Sequence, residues 1–369
     1  MKISVSITTF NHERFIRQAI ESVLAQQCRA QIEIVVGDDC STDGTADILA
    51  QMEREHRGLL KIVRPPANLG HNGRAMFLET LKHCDGDYVA MLDGDDYWID
   101  DRKLDTQLDF FERHPQCALC HHGVESVFED GHTEPWSGSY AAEESLGEFG
   151  VLLPWHHIGS PAPLIRQQVV QSLPRWIHQS PFGDWPIYMA AGNIGQIGYF
   201  PRTMAAYRFH STGVFTQASA VERQQQVVDF FAVIGGPIFK RWTEQLLRAT
   251  IYHLLELVAR HREAGSLAGP ARDLPYIYSP ELLQDKNSSQ ANPSAGFVDE
   301  ALLLLYLLDD AFRKRNERCI ARAQSALYLL RAQHLLRAGV KVDAARASLK
   351  ALRADPLSFW ALNSARALR

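Results

Sequence analysis

Two kinds of hydrophobic pattern alternate through roughly the first 115 residues. The sequences ISVSITTF, IEIVVGDD, LLKIVR and GDYVAMLD are short apolar runs that predict strands. Between them, apolar residues recur at helical spacing in FIRQAIESVL, in GTADILAQMERE and from Gly73 to His83. Ser41 or Thr42 is expected to cap the second of these helices. Strands that alternate with helices predict an α/β fold, with a mostly parallel sheet and helices on both of its faces.

The pattern changes in the second half of the chain. CALCHHGVESVF predicts one more strand, but between about residues 130 and 215 Pro, Gly and Trp are frequent, which predicts irregular structure typical of a binding region. Long helical sequences follow, FKRWTEQLLRATIYHLLELVARH, VDEALLLLYLLDDAFRKR and a pair from Ala323, interrupted at residues 265–296 by a predicted mobile loop. The last pair resembles a tetratricopeptide-type hairpin, with Gly339 at its turn and Asp355-Pro356 at its end.

The length of the chain, 369 residues, favours two domains. We predict a first domain at residues 1–218 and a helical C-terminal domain at residues 219–369. The composition, with 46% hydrophobic and 22% charged residues, is that of a globular protein. The net charge of -5 provides no basic surface for nucleic acid, which is therefore excluded as a partner.

The chain is expected to be cytoplasmic. The first residues, MKISVSITTF, read as a strand and lack the apolar core of a signal peptide. The densest apolar run, residues 301–308, is far shorter than the roughly 20 residues that cross a bilayer. Six cysteines without framework spacing suit a reducing compartment.

One cysteine cluster needs separate consideration. In CALCHH, the residues Cys117, Cys120, His121 and His122 match both a haem-attachment pattern and half of a zinc site. Haem attachment requires export, and the sequence has no second cysteine pair to complete a zinc site. Alternation along a predicted strand favours buried structural thiols instead.

Acidic residues follow two of the predicted strands at their carboxyl ends. Asp38 and Asp39 follow the second strand, and Asp93, Asp95 and Asp96 follow the fourth. Ligands of open parallel sheets bind at this edge, and adjacent carboxylates repel each other unless a cation lies between them. Oxygen ligands of this kind suit Mg²⁺ or Mn²⁺. The alternatives are a turn closed by Asp38 and Asp39, and a solvated acidic loop at the second cluster.

A metal held by one or two carboxylates keeps positions for phosphate oxygens. The sequence contains neither a Walker lysine motif nor a G-x-G-x-x-G after the first strand. A nucleoside diphosphate conjugate, whose pyrophosphate would complete the metal coordination, therefore remains as the ligand.

Several motifs occur together in an order that resembles the family 2 inverting glycosyltransferases, and bacterial enzymes of surface polysaccharide synthesis in particular. These are SITTFNHERFIRQAIESVLAQ, IVVGDDCSTDGT, NLGHNGRAMF, GDYVAMLDGDDYW, GDWPIYMAAG and AAYRFHSTGVF. The resemblance spans about residues 1–217 and implies the nucleotide-sugar-binding A-type glycosyltransferase fold. It also implies that DGD is the metal-binding D-x-D element.

The resemblance assigns roles to individual residues. It places Thr8 and Phe10 in the nucleoside pocket, where Asp39, with Asp38 nearby, would read the base. Asp93 would face the ribose or the sugar, Arg74 would reach a phosphate, and the metal residues would be Asp95, Asp96 in support, and His210.

Asp184 corresponds to the general base of the family. An inverting transfer needs a carboxylate that removes the proton of the acceptor hydroxyl. Asp184 is also placed to cap a helix, because Pro186 and an apolar run follow it, and the two interpretations are compatible. Trp185 is either a platform for the acceptor sugar or a core residue, and a lone histidine such as His210 is often only structural.

The sequence thus predicts a metal-dependent inverting glycosyltransferase with Mn²⁺ or Mg²⁺, a nucleotide-sugar donor and a glycan or lipid-linked glycan acceptor. Two alternatives stay open, a sugar-phosphate nucleotidyltransferase and a noncatalytic nucleotide-binding scaffold. Arg and Lys near apolar helix faces also leave open a peripheral association with the inner membrane face. A homodimer through the helical region is open as well.

Overall fold

The chain is described by a computed structural model that covers residues 1–136, 142–154, 157–213, 217–234, 237–267 and 294–355. The chain divides into two compact units. Residues 1–178 and 182–217 form the first unit, and residues 179–181 and 218–369 form the second.

The first unit is built on one ten-stranded sheet. Its strands are β1 (Lys2–Thr9), β2 (Gln31–Asp38), β3 (Leu60–Val63), β4 (Tyr88–Asp93), β5 (Tyr97–Trp98), β6 (Cys117–Phe128), β7 (Thr133–Pro135), β8 (Ser145–Gly147), β9 (Leu164–Arg166) and β10 (Gln196–Phe209). The main path through the sheet has the order β3-β2-β1-β4-β9-β6-β10-β5. β7 pairs with β6, and β8 pairs with β10.

The four predicted N-terminal strands form the parallel part of this sheet. β1 pairs with β2 and β4, and β2 pairs with β3, all in parallel. Beyond β4 the sheet is mixed, because β9 runs antiparallel to both β4 and β6, whereas β10 is parallel to β6. The predicted α/β fold class is confirmed, and the predicted strand at residues 117–128 has the predicted bounds.

Helices cover both faces of the sheet. They are α1 (Ile16–Leu24), α2 (Thr45–Glu55), α3 (Arg74–Leu81), α4 (Lys103–Arg113), α5 (Gln167–Gln171) and α6 (Trp185–Ile194), with 3-10 turns at Phe149–Leu152 and Arg175–Gln179. Ile34 and Val36 of β2 belong to the core that α1 and α2 complete. Gly37, on the other face, adjoins α3 so closely that a Cβ there would lie 1.9 Å from Oγ1 of Thr80. This close contact fixes α3 next to the carboxyl end of β2.

Two predictions for this unit are wrong. The described part of residues 130–215 is not mainly irregular, because it contains α6 and the 14-residue strand β10. Neither Ser41 nor Thr42 caps α2, whose N-cap is Gly44 without a side-chain hydrogen bond. The Ser41 hydroxyl instead donates to Asp38 at 2.6 Å.

The second unit is helical within its described residues. Its helices are α7 (Ala220–Val233), α8 (Thr243–Glu263), α9 (Ala295–Leu307), α10 (Asp310–Arg315), α11 (Glu317–Arg337) and α12 (Lys341–Ala354), with a 3-10 turn at Pro237–Trp242. Leucine, alanine and isoleucine side chains of α8, α9 and α11 form its core. The structure therefore agrees with the predicted helical C-terminal region.

Details of the helical unit differ from the sequence prediction. The predicted helix VDEALLLLYLLDDAFRKR is broken at Leu308, because the Asp309 side chain caps α10 by accepting a hydrogen bond from Phe312 N at 2.9 Å. Gly339, with φ of +79°, joins α11 and α12 as predicted. Most of the predicted mobile loop at residues 265–296 lies outside the described residues. In the part of the chain that the structure describes, no helix is long and apolar enough to cross a membrane.

Candidate active site

The register of the parallel strands places the two acidic clusters on either side of β1. Thr8 lies opposite Gly37 of β2 and opposite Asp93 of β4, and Thr9 lies opposite Asp38. The carboxyl ends of parallel strands share one edge of a sheet, where ligands of such folds bind. Within the described residues, the buried Oγ1 of Thr8 has no hydrogen-bond partner. The strand order thus brings Thr8 and both predicted clusters to one edge.

The carboxylates of Asp38 and Asp39 organise the loop after β2. Oδ1 of Asp38 accepts hydrogen bonds from the backbone N–H and the hydroxyl of Ser41, at 3.0 and 2.6 Å. Its Oδ2 lies 3.2 Å from Nε of Arg64. Oδ1 of Asp39 accepts the N–H of Leu69 at 2.7 Å. Asp38 therefore closes a turn, and Asp39 joins this loop to the loop that follows β3.

The loops at this edge contain backbone in the left-handed region. Asn11 and Cys40 follow β1 and β2, and residues 70–73 precede α3; all of them have φ between +52° and +77°. Left-handed backbone is unfavourable for residues other than glycine. Strain at three neighbouring loops is typical of a functional edge of a sheet.

Gly94 sets the shape of the turn between Asp93 and Asp95. Its N–H donates to the Thr8 carbonyl at 2.8 Å. A Cβ at this position would lie 2.7 Å from Oγ1 of Thr9 and 2.9 Å from Nδ1 of His12. The D-x-D turn therefore needs glycine at its centre because it packs directly on the segment that follows β1.

Two imidazoles face the carboxylate of Asp95. Nε2 of His210 lies 3.0 Å from Oδ2 of Asp95, and Nε2 of His12 lies 3.7 Å from the same oxygen. Burial disfavours the charged carboxylate, but the hydrogen bond with His210 and the nearby imidazoles outweigh it, so the pKa of Asp95 is lowered. Nδ1 of His210 is 2.9 Å from the Thr212 hydroxyl, which fixes the ring orientation.

Asp96 points into the protein, where it meets Arg208 of β10. Its Oδ1 accepts the Arg208 backbone N–H at 2.9 Å, and its buried Oδ2 has no partner among the described residues. The Arg208 side chain donates to the Asp95 carbonyl and to Gln18 of α1, and its guanidinium lies 4.3 Å from the Tyr97 ring centroid. Burial, together with the charges of Asp95 and Asp93, raises the pKa of Asp96 well above its usual range.

Asp184 approaches Asp93 from the N-terminus of α6. Burial raises the pKa of Asp93 to about 7, and the charges of Asp95 and Asp184 add to this effect. Asp184 is the N-cap of α6, and its Oδ1 accepts the N–H of Trp185 at 2.8 Å. The predicted N-cap is confirmed, and the predicted base lies close to the predicted sugar-facing carboxylate.

Trp185, Arg74 and Phe10 occupy three different environments. Trp185 is 1% exposed and its indole N–H donates to the Leu152 carbonyl at 3.0 Å, so it is a core residue and not an exposed platform. Arg74 begins α3, and its guanidinium donates to the His178 carbonyl at 3.2 Å. Phe10 is 40% exposed at the end of β1. The phosphate contact of Arg74 and the nucleoside contact of Phe10 therefore stay predictions.

The sequence model of glycosyl transferase family 2 matches residues 4–171. Residues 4–171 form a family 2 glycosyltransferase domain. This matched segment contains Asp39, Asp93 and Asp95 and ends before Asp184 and His210.

Similar proteins support the family assignment. An uncharacterized protein of Mycobacterium tuberculosis is 28% identical over 268 residues, which are 72% of this chain and 72% of that protein. The putative teichuronic acid biosynthesis glycosyltransferase TuaG of Bacillus subtilis is 36% identical over 144 residues, 39% of this chain and 54% of TuaG. The crystal structure of Staphylococcus aureus TarS 1–349 in complex with UDP-GlcNAc has a TM-score of 0.53 at 16% identity, over 96% of this chain and 91% of that chain. The predicted family and the A-type glycosyltransferase fold are confirmed.

The cysteine cluster is structural. Cys117 and Cys120 are free, buried thiols, and burial raises the pKa of Cys117 to about 12 and that of Cys120 well above its usual range. His121 and His122 are also buried, and burial lowers the pKa of both imidazoles. In the chain as far as it is described, no group of at least three His, Cys, Asp or Glu side chains could hold a metal ion. The prediction of buried structural thiols is confirmed.

The residues around Asp95 fit a divalent cation only in part. Asp95 provides one carboxylate and His210 provides one imidazole, and the two groups lie 3.0 Å apart. Asp96 is 1% exposed and its Oδ1 is already bonded, so it supports the turn instead of facing an open position. These residues would therefore supply two ligands, and phosphate oxygens and water would have to supply the others. Such sharing is common where a cation binds with a nucleotide.

Sequence reasoning missed His12 and Arg208. His12 lies 83 residues before Asp95 in the chain, and Arg208 lies 112 residues after Asp96. Their contacts depend on the segment after β1 and on β10 both reaching the same turn. The short sequences HER and YRF do not by themselves indicate a site residue. The position of Arg208 in a strand that ends in YRFH is the one feature that could have suggested it.

Proposed function

We propose that the chain is a metal-dependent inverting glycosyltransferase that transfers a sugar from a nucleotide-sugar donor to a hydroxyl of a glycan acceptor. The observation that carries this proposal is the convergence of Asp39, Asp93, Asp95 and Asp184 on one edge of the sheet, with His210 at 3.0 Å from Asp95. The family assignment supports the class of reaction. The TarS structure, which is a complex with UDP-GlcNAc, supports a nucleotide sugar as the class of donor.

In this proposal, the donor would lie across the carboxyl ends of β1, β2 and β4. Thr8, Phe10 and Asp39, with Asp38 nearby, would contact the nucleoside, Asp93 would contact the ribose or the sugar, and Arg74 would reach a phosphate. A divalent cation held by Asp95 and His210, with Asp96 in support, would offset charge on the departing diphosphate.

Asp184 would remove the proton from the acceptor hydroxyl as that oxygen attacks the anomeric carbon. The carboxylate is suited to this role because Asp184 is the N-cap of α6 and lies near Asp93, which would face the sugar. A positioned base typically contributes about 10²- to 10⁴-fold to the rate. The base stands opposite the leaving diphosphate in an inverting displacement, so the acceptor would enter from the α6 side.

The direct test measures donor turnover for the wild type, Asp95→Ala and Asp184→Asn, first with EDTA and then with Mn²⁺. We expect EDTA to abolish transfer and Mn²⁺ to restore it in the wild type only. Both variants should lose at least about 100-fold in rate while they keep the thermal stabilisation that a nucleotide gives to the native state. Undiminished rates under all of these conditions would refute the mechanism.

The biological setting is a further part of the proposal. TuaG is named for teichuronic acid biosynthesis, and we infer an acceptor of the same broad class, a bacterial surface polysaccharide. A cytoplasmic location, peripheral association with the inner membrane face, and a homodimer through residues 219–369 stay predictions. Screening nucleotide sugars by thermal shift with Mn²⁺ would identify the base and the sugar of the donor.

A further inference from the structure

A tyrosine lies one helical turn after Asp184. Side chains on a helix lean toward its N-terminus, and Tyr188 accordingly reaches back over the first turn of α6. Its hydroxyl lies 3.4 Å from Oδ2 of Asp184. The other carboxylate oxygen, Oδ1, accepts the backbone N–H of Trp185 at 2.8 Å. Each oxygen of the carboxylate therefore has a donor from α6.

The environment of Tyr188 makes its hydroxyl a permanent donor. Tyr188 is 1% exposed and belongs to a buried stretch of α6. Burial and the charges of Asp184 and Asp93 raise the pKa of Tyr188 well above its usual range. The phenol therefore keeps its proton, and an ionised carboxylate can only accept.

We propose that Tyr188 is a positioning residue, which orients the carboxylate of Asp184 toward the acceptor hydroxyl and favours its ionised form. This inference rests on the proposed function, in which Asp184 is the general base. Tyr188 itself does not touch the reacting atoms. Its contribution is a hydrogen bond to the base, comparable to the partner that orients the base in other catalytic constellations.

Other groups also face Asp184 and influence its ionisation. Asp93 comes from β4 and Tyr207 from β10, and both experience the charge of Asp184. Arg74 of α3 lies near the residue before Asp184, because its Cγ would be 3.7 Å from a Cβ at Gly183. The titration of Asp184 thus reflects several neighbours. A variant that changes only the phenol oxygen isolates the part that Tyr188 contributes.

The test compares Tyr188→Phe with Tyr199→Phe in the full chain. Tyr199, at 8% exposed on β10, is a matched control because it is also buried and, among the described residues, its ring packs on His121 and not on a carboxylate of the site. The titration of Asp184 is followed by NMR of its labelled side-chain carboxyl carbon, and Asp184→Asn assigns the signal. Loss of the donor should raise the midpoint of this titration in Tyr188→Phe by about one pH unit. Tyr199→Phe should titrate like the wild type.

Turnover gives a second measurement. The acidic limb of kcat/KM should move upward in Tyr188→Phe by the same amount. The KM for the donor should stay unchanged, and kcat at a pH above the limb should fall about tenfold through the lost orientation. Tyr199→Phe should change none of these values.

The outcomes separate this inference from the proposed function. If Tyr188→Phe titrates like the wild type while Asp184→Asn is inactive, the positioning role is wrong and the base assignment stands. An equal shift in Tyr188→Phe and Tyr199→Phe would indicate general loosening of the core, and would also overturn the positioning role. If Asp184→Asn transfers sugar at the wild-type rate, the base assignment itself fails, and with it the inference.

Discussion

Nε2 of His210 lies 3.0 Å from Oδ2 of Asp95, although 115 residues separate them along the chain. The contact joins the loop after β4 to the end of β10. It gives the D-x-D turn an imidazole partner from the protein itself. Burial raises the pKa values of Asp93 and Asp96, so these carboxyl groups are protonated more readily. Protonation would reduce the repulsion between the carboxylates of the turn. The charge pattern of the sequence did not indicate these compensating effects.

Replacing His210 should weaken cation binding at the proposed site. We expect His210→Asn to lower the affinity for Mn²⁺ by about 10- to 100-fold or more, because the loss of even an indirect ligand partner has an effect of this size. Mn²⁺ titrations followed by electron paramagnetic resonance, with a nucleoside diphosphate present, measure this affinity. His132→Asn is the control, since His132 is exposed and pairs with Asp130. Equal affinities in the two variants would remove His210 from the metal site.

Adding one methyl group at Gly94 should disrupt the D-x-D turn. In Gly94→Ala the new Cβ would meet Thr9 Oγ1 at 2.7 Å, so the turn would have to move. We expect a loss of about 1–3 kcal/mol in the free energy of unfolding and weaker Mn²⁺ binding. Denaturant unfolding and the same Mn²⁺ titration check both effects. Gly150→Ala, where a Cβ would meet nothing within 4 Å, should leave both quantities unchanged. A Gly94→Ala protein as stable as Gly150→Ala would show that the turn tolerates a side chain.

Arg208→Lys should destabilise the same turn through lost hydrogen bonds. The guanidinium donates to the Asp95 carbonyl and to Gln18, and a lysine cannot reproduce this fork. We expect a decrease of about 1–3 kcal/mol in the free energy of unfolding. Arg202 on the same strand is 55% exposed and pairs with Asp100. Arg202→Lys should therefore change stability by less than about 1 kcal/mol. Similar losses in the two variants would show that Arg208 adds nothing beyond a surface ion pair.

Lys103 predicts a specific pH dependence of stability. Lys103 is 0% exposed, and burial lowers its pKa to about 7. In the unfolded chain a lysine titrates near about 10.4. Between these values the unfolded chain binds more protons than the folded chain, so the free energy of unfolding should rise with pH by up to about 1.4 kcal/mol per unit. Lysine at this position is therefore most unfavourable below pH 7.

The measurement is urea unfolding of the wild type and Lys103→Met between pH 7 and 9. Lys103→Met should remove the rise, because the methionine does not titrate. The exposed Lys61 provides the control, and Lys61→Met should keep the wild-type slope. Parallel slopes for the wild type and Lys103→Met would show that Lys103 stays protonated when folded.

The sequence predicted the N-terminal half of the sheet well, because parallel strands buried on both faces appear as continuous apolar runs. IEIVVGDD, at residues 32–39, is such a run, and β2 (Gln31–Asp38) differs from it by one residue at each end. β10 was missed because it contains Pro201, Arg202 and Thr203, which interrupt any strand pattern. Those residues lie where the register with β6 shifts. An irregular strand of this kind is specified by its neighbours in the sheet more than by its own periodicity.

The acidic residues of the site were predictable, whereas their polar partners were not. Asp93 and Asp95 follow a clear strand, so their place at the sheet edge follows from the pattern. The contacts of His12 and Arg208 depend on tertiary packing over more than 80 residues of chain. Trp185 also shows this limit, because only the structure decides between a core position and an exposed one.

The separation between Asp95 and His210 has a consequence during protein synthesis. At about 5–20 residues per second, the 115 residues between them take roughly 6–23 s to add. For that time the nascent chain carries the carboxylates of the turn without the strand that brings Arg208 and His210 to them. The N-terminal strands would therefore begin to fold while the carboxylates of the turn still repel each other without these partners. A ribosome-bound fragment that stops before β10 should accordingly be less stable at neutral pH than at mildly acidic pH, where protons would take the place of the missing side chains.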